Sequence, residues 1–244
     1  MQASSHYRGV GVDGCAGGWF LVALEADGRW DMVLASGLAS LISRFTAADR
    51  VLVDIPIGLP DSQPRECDRA ARRRLGRPRA ASVFPVPCRA AVTAADYRAA
   101  CRLNQRALGR ALTRQTWNIC AKIAAMDAFL DAHPGLRPQV REAHPEVVFQ
   151  ALNGGTAIVA PKRSEAGRAR RLAVLEGWFG DAGALLTAAL ERFPRSLLAA
   201  DDVLDALALA VAAWLSRPLA SLPAEPPRDE RGLPMEIVYP LIEG

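Results

Sequence analysis

Residues 7–34, YRGVGVDGCAGGWFLVALEADGRWDMVL, constrain the fold more than any other stretch. Valines 10 and 12 alternate with glycines 9 and 11, so residues 7–13 read as a strand, and residues 14–18 turn the chain. Residues 19–24 read as a second strand, and residues 29–34 as a third after the turn Asp27-Gly28. Strands joined by tight glycine turns form an antiparallel meander. GVGVDG also spells G-x-G-x-x-G, but a dinucleotide loop needs its last glycine to open a helix that receives a pyrophosphate. A hairpin follows instead, so the match is accidental and the chemical content of the stretch is Asp13.

After the meander, residues 36–45 fit a helix and residues 51–54 a short buried strand ended by Pro56. Pro64 in the first turn, Glu66 and Asp68 near the positive end and Arg72–Arg74 before Gly76 mark another helix. RPRAASVFPVPCRA carries three prolines and should be irregular. Helices are expected over 94–112, 114–133 and 145–152, a strand over 139–143, and two or three helices over 164–192. Residues 200–215 are apolar on almost every side, hence a buried helix. The Pro-rich residues 217–234 read as a linker or tail, and MEIVY as an edge strand. The order predicts one α/β domain over residues 1–244, with a mixed five-stranded sheet, three strands antiparallel and then parallel ones, and helices on both faces. Residues 61–112 form a helical basic insertion.

That insertion carries the chain's charge anomaly. Residues 65–114 hold thirteen arginines against three acids, whereas the whole chain has a formal net charge of only +4. The remainder is therefore net negative, and a basic segment on an acidic body suits a polyanionic partner, DNA or RNA. Arg65, Arg69 and Arg72 recur at helical spacing, as a phosphate-contacting face requires. Lys122 is a further candidate for a phosphate or for one of the acids. Lys162 and Arg163 read as surface residues. No apolar run reaches the length of a membrane span, and the first residues lack a secretory signal. Five cysteines without a C-x-x-C pair, beside three histidines, speak against a zinc site and for reduced thiols in the cytoplasm.

The acids fall at element ends. Asp13 ends the first strand, Asp54 the fourth and Glu142 the fifth, while Asp201, Asp202 and Asp205 open the buried helix. Asp201 reads as a cap. Asp202 and Asp205, three apart, share a helical face, and capping does not account for Asp205. Strand ends of an α/β sheet converge on one edge, and several carboxylates there repel one another unless cations neutralise them. Hard oxygen donors favour Mg²⁺ or Mn²⁺. His144, beside these acids, is a candidate general base, proton shuttle or metal ligand, or a structural histidine.

GVDGCAGGW, VLVDIPIGLP, RAASVFPVPCRAA, RQTWNICAKIAAMD, REAHPEVVFQALNGG and DDVLDALALAVAA, in this order, resemble the predicted RNase H-like nucleases, a family catalogued as a domain of unknown function. The likeness extends to GLPMEIVYP, and DDVLDALALA is similar to the helix of Holliday-junction resolvases that carries two aspartates three apart. The resemblance implies a ribonuclease H-like fold, with Asp13 as the first-strand metal aspartate, Asp54 as the fourth-strand acid and Asp202 and Asp205 as the helix pair. Glu142 and His144-Pro145-Glu146 belong to the narrower family.

The resulting expectation is a nuclease that hydrolyses phosphodiesters by two-metal chemistry. Its catalytic residues would be Asp13, Asp54, Glu142, His144, Asp202 and Asp205, with Asp13, Asp54, Asp202 and Asp205 holding Mg²⁺ or Mn²⁺. Arg65, Arg69, Arg72 and Lys122 would bind nucleic acid. Two other functions stay open: an ATP-dependent phosphotransferase of the actin-like fold, for which one set of strands is short, and a non-catalytic protein binding metal or a phosphorylated ligand.

Overall fold

The computed structural model describes residues 6–242. Strands β1 (Tyr7–Cys15), β2 (Gly18–Glu25) and β3 (Trp30–Ala35) form the antiparallel meander, and β4 (Val51–Asp54) and β5 (Val140–Glu142) add to the other side of β1 in parallel. The order is β3-β2-β1-β4-β5, the mixed sheet expected from the sequence. Only Ala16 and Gly17 separate β1 from β2, and Gly18, at φ 121°, lets the second strand begin at once.

Helices cover both faces. On one lie α6 (Pro145–Leu152), α7 (Glu165–Glu176), α8 (Ala182–Arg192) and α9 (Ala200–Trp214), sharing a core with Phe20, Val22 and Leu52. On the other, α1 (Ile42–Thr46) and α5 (Arg114–Ala132) pack Phe45, Ile123 and Met126 against Val10, Val12 and Val53. The helix expected over 36–45 is split into a 3₁₀ turn, Leu38–Leu41, and the short α1.

The contact between β1 and α9 positions the site. Period-two alternation puts Gly9, Gly11 and Asp13 on the α9 face. A Cβ at Gly9 would lie 2.3 Å from the Trp214 nitrogen, and one at Gly11 2.1 Å from the Ala206 carbonyl oxygen. Glycine on the strand and alanine on the helix therefore let two backbones approach as no larger pair could. α9 descends from Trp214 at Gly9 to Ala206 at Gly11, so its N-terminal acids arrive at the Asp13 end of the strand.

Between β4 and α5 comes the insertion, with α2 (Glu66–Arg79), α3 (Arg89–Val92) and α4 (Tyr97–Leu108). Gly76, at φ 66°, breaks the regular geometry of α2, although the chain continues helically to Arg79. Asp96 caps α4 through the Ala99 N–H, and left-handed Gly109 ends it. α4 is shorter than the expected 94–112 because both punctuation marks act inside that range. Residues 217–234 contain β6 (Leu219–Leu222), which pairs with β7 (Ile237–Pro240), and a loop that buries Leu233 and Asp229. β7 touches the main sheet through a single bridge from Val238 to Ala143. Among the described residues, no helix is long and apolar enough to cross a membrane.

Candidate active site

Asp13 and Asp54 are register partners on the parallel pair β1 and β4. Neighbouring strands lie about 4.8 Å apart, so the two carboxyls leave the same face side by side. Asp205 reaches the same place from α9, one turn beyond the helix start, and is 1 % exposed. An open cavity forms at this edge, lined by Asp13, Asp54, Asp202, Lys122 and Lys162 among others. Asp205 faces the adjoining cavity, shared with Asp54 and Lys162.

These acids destabilise one another's charge. Burial, and after it the charges of Asp54, Asp205 and Asp202, hold Asp13 well above the usual carboxylate range. Burial pushes Asp54 up to about 7, with Lys162 opposing and Glu146 and Asp202 adding to the rise. Asp205 rises to about 6, again chiefly through burial. Asp202 is raised by burial while the Ala199 N–H counteracts it.

Their hydrogen bonds leave capacity unused. Asp13 Oδ1 accepts from the Gly14 N–H at 2.7 Å. Asp205 Oδ2 accepts from Lys162 Nζ at 2.6 Å, and Asp205 Oδ1 is buried without a partner. Asp202 reaches back 3.0 Å to the Ala199 N–H, so it performs the capping expected of Asp201. Asp201 instead lies 3.5 Å from Arg163 and 3.8 Å from Lys162. The donor chemistry fits a hard divalent ion: all-oxygen, mutually repelling, with an orphaned acceptor. Asp13, Asp54 and Asp205 would hold it, with Asp202 at the rim. As placed, no three His, Cys, Asp or Glu side chains among the described residues form a ready-made ion cage. The cation among the carboxylates is the Lys162 ammonium. Burial works against its charge, but Asp205, then Asp13 and Asp54, hold its pKa well above that of an ordinary lysine.

Glu142 lines the same cavity as Asp13 and Asp54 but reaches it from the other face of the sheet. Its register partner is Val53, so alternation sends it to the face opposite Asp54. There Arg65 donates to both of its oxygens at 2.7 Å, and the Ile57 N–H adds a third bond of 2.7 Å. Arg65 also bridges to Asp68 at 2.6 Å and is 2 % exposed. It is therefore a buried structural cation and not a free phosphate contact. Arg69 is tied to Glu66 at 2.7 Å, and Arg72 donates to the Val83 carbonyl at 2.6 Å. Of the arginine face expected there, Arg65 is buried, while Arg69 and Arg72 stay exposed with one partner each.

His144 caps α6. Its Nδ1 accepts from the Glu146 N–H at 3.2 Å, and its Nε2 lies 3.3 Å from the Ser82 carbonyl, a pair of contacts that suits the neutral Nε2–H tautomer. Burial lowers its pKa, in keeping with that neutral form. Pro145 fills the first helical position, and Glu146 pairs with Arg79 and, at 2.6 Å, with the fully buried Arg171. His144-Pro145-Glu146 thus starts the helix and anchors a buried ion pair, and His144 also lines both cavities at the site. Lys122 lies against Gly14, where a Cβ would come to 2.7 Å of its Cδ, and Nζ donates to the Gly18 carbonyl at 2.5 Å. It lines the cavity from the α5 side.

Two features escape a reading of the sequence alone. Lys162 enters the site from a loop 43 positions from Asp205. Its signal was that it is one of two lysines in an arginine-rich chain. On α4, Arg98, Arg102 and Arg106 are exposed and, among the described residues, make no ion pair. Their four-residue spacing, with no acid inside the helix itself, was the signal. α5 links this helix to the site: Trp117 packs on Tyr97 of α4, while Ile119 and Lys122 line the cavity.

No curated protein and no solved structure matches this chain. Residues 11–228 match the family described as "Protein of unknown function (DUF429)", and the chain belongs to that family.

Proposed function

We propose that the chain is a Mg²⁺- or Mn²⁺-dependent phosphodiesterase acting on nucleic acid, within the ribonuclease H-like superfamily. The observation that carries this reading is the in-register pair Asp13 and Asp54, joined by buried Asp205, all three with raised pKa values where two adjoining cavities meet. The strand order, antiparallel then parallel, fits a ribonuclease H-like sheet. A bound divalent ion lowers the pKa of water and polarises a phosphoryl oxygen. The carboxylates of Asp13, Asp54 and Asp205 bind and orient that ion. Lys122 and Lys162, with Arg163, set positive charge at the cavity, where a phosphate meets a cluster of acids. The free guanidinium groups of Arg98, Arg102 and Arg106 span about 12 Å of helix and hold the polyanion by charge. All five cysteines are free, which supports a reducing compartment such as the cytoplasm.

Labelled DNA and RNA, single- and double-stranded, incubated with Mn²⁺ and the wild-type or Asp13→Asn protein, test this function. Cleavage by the wild type and a loss of at least a hundredfold in the variant are expected. Cleavage at the same rate by both proteins would overturn the assignment.

A further inference from the structure

We propose that Lys162 is a built-in cation that takes the place of one of two divalent ions, so that the site binds a single ion between Asp13 and Asp54. This rests on the metal-site reading above and goes beyond it, since carboxylate clusters of this size otherwise invite a pair of ions.

The first support is position. Lys162 Nζ lies 2.6 Å from Asp205 Oδ2 and 3.8 Å from Asp201 Oδ2, bridging the two outer acids of the α9 face. Among the described residues no cation makes an ion pair with Asp13 or Asp54, although the Lys162 charge acts on both.

The second is construction. A surface lysine that drifts into an acidic cavity needs no scaffold, but the Lys162 loop has one. Ser164 donates from both its backbone N–H (3.0 Å) and its hydroxyl (2.8 Å) to the Pro161 carbonyl, and its Oγ caps the Gly167 N–H at 3.0 Å. Gly167 lies so close that a Cβ would sit 1.9 Å from the Pro161 oxygen. Arg171, fully buried, donates to the Ala160 carbonyl at 3.1 Å while its other nitrogen pairs with Glu146. Glu146 therefore fixes Arg171, Arg171 fixes the loop, and the loop delivers the ammonium to Asp205. Glu146 and Arg171 are positioning residues for that charge.

A fixed ammonium here supplies the charge of an ion without its coordination demands. It holds Asp205 Oδ2, leaves the unpartnered Oδ1 to the ion beside Asp13 and Asp54, and faces the cavity, where it stabilises negative charge gathering on a phosphate oxygen.

Isothermal titration with Mn²⁺ alone, on the full chain freed of metal, reads this without any assay of activity. The wild type should take up one ion per chain. Lys162→Gln, which keeps a donor for Asp205 but removes the charge, should take up two, and Lys162→Arg should take up one. Circular dichroism confirms that each variant is folded. Two ions in the wild type, or one in both the wild type and Lys162→Gln, overturn the role of Lys162 and leave the metal site standing. No uptake by any of the proteins overturns both.

Discussion

Gly11 and Ala206 face each other across the β1–α9 contact so closely that a Cβ on Gly11 would lie 2.1 Å from the Ala206 carbonyl oxygen. The contact involves two backbones, neither of which can rotate away. It also sets how far along β1 the helix sits, and hence where Asp202 and Asp205 meet Asp13.

Gly11→Ala should therefore destabilise the protein by about 3 kcal/mol or more, since overpacking of this kind has no side chain to absorb it. Gly37→Ala, where a Cβ meets nothing within 4 Å, should change stability by no more than about 0.5 kcal/mol. Denaturant titration of both variants checks the contrast.

The raised carboxylates give a pH dependence with a definite sign. Asp54 at about 7 and Asp205 at about 6 hold protons in the folded state that the unfolded chain releases near pH 4. Folding then takes up protons, so the stability of the metal-free protein should fall as pH rises from about 4 to about 7. The total loss is on the order of a few kcal/mol. Asp54→Asn should flatten the curve, and Mn²⁺ should stabilise the wild type far more at pH 8 than at pH 5. Thermal melts with and without Mn²⁺ across this range measure both effects.

Arg65 and the α4 arginines should behave oppositely. Arg65→Met leaves Glu142 and Asp68 buried without their cation, at a cost of about 3–5 kcal/mol. Changing Arg98, Arg102 and Arg106 together to Gln should leave stability nearly untouched. It should weaken nucleic-acid binding and reduce the slope of log affinity against log salt by about two to three. Fluorescence anisotropy at several salt concentrations, beside denaturant melts, separates the two roles.

The sheet was legible because its signals are local. Glycines punctuate the meander, and the valine–glycine alternation of β1 gives both its period and the face that α9 covers. Asp13, Asp54, Asp202 and Asp205 could be found because strand ends and a helix start converge by topology. Glu142 lines the site cavity too, but its tie to Arg65 was not legible, since its face depends on pairing with Val53 and not Asp54, a register no local pattern encodes. The arginines of α2 misled for a similar reason. Helical spacing puts Arg65, Arg69 and Arg72 on one face, and it does not show that Asp68 and Glu142 bury Arg65 while Arg69 and Arg72 stay exposed. Lys162 was hidden because its place depends on Gly167 meeting Pro161 and on Arg171 meeting Glu146, contacts that form only when α7 packs on α6.

The central claim is that aspartates from β1, β4 and α9 bind one divalent ion. A crystal grown with Mn²⁺, with anomalous scattering recorded at the manganese edge, tests it most directly. The account predicts one anomalous peak within coordination distance of both Asp13 and Asp54, with Lys162 still on Asp205. A fully loaded crystal with no peak at these aspartates, or with manganese only at other residues, would contradict it.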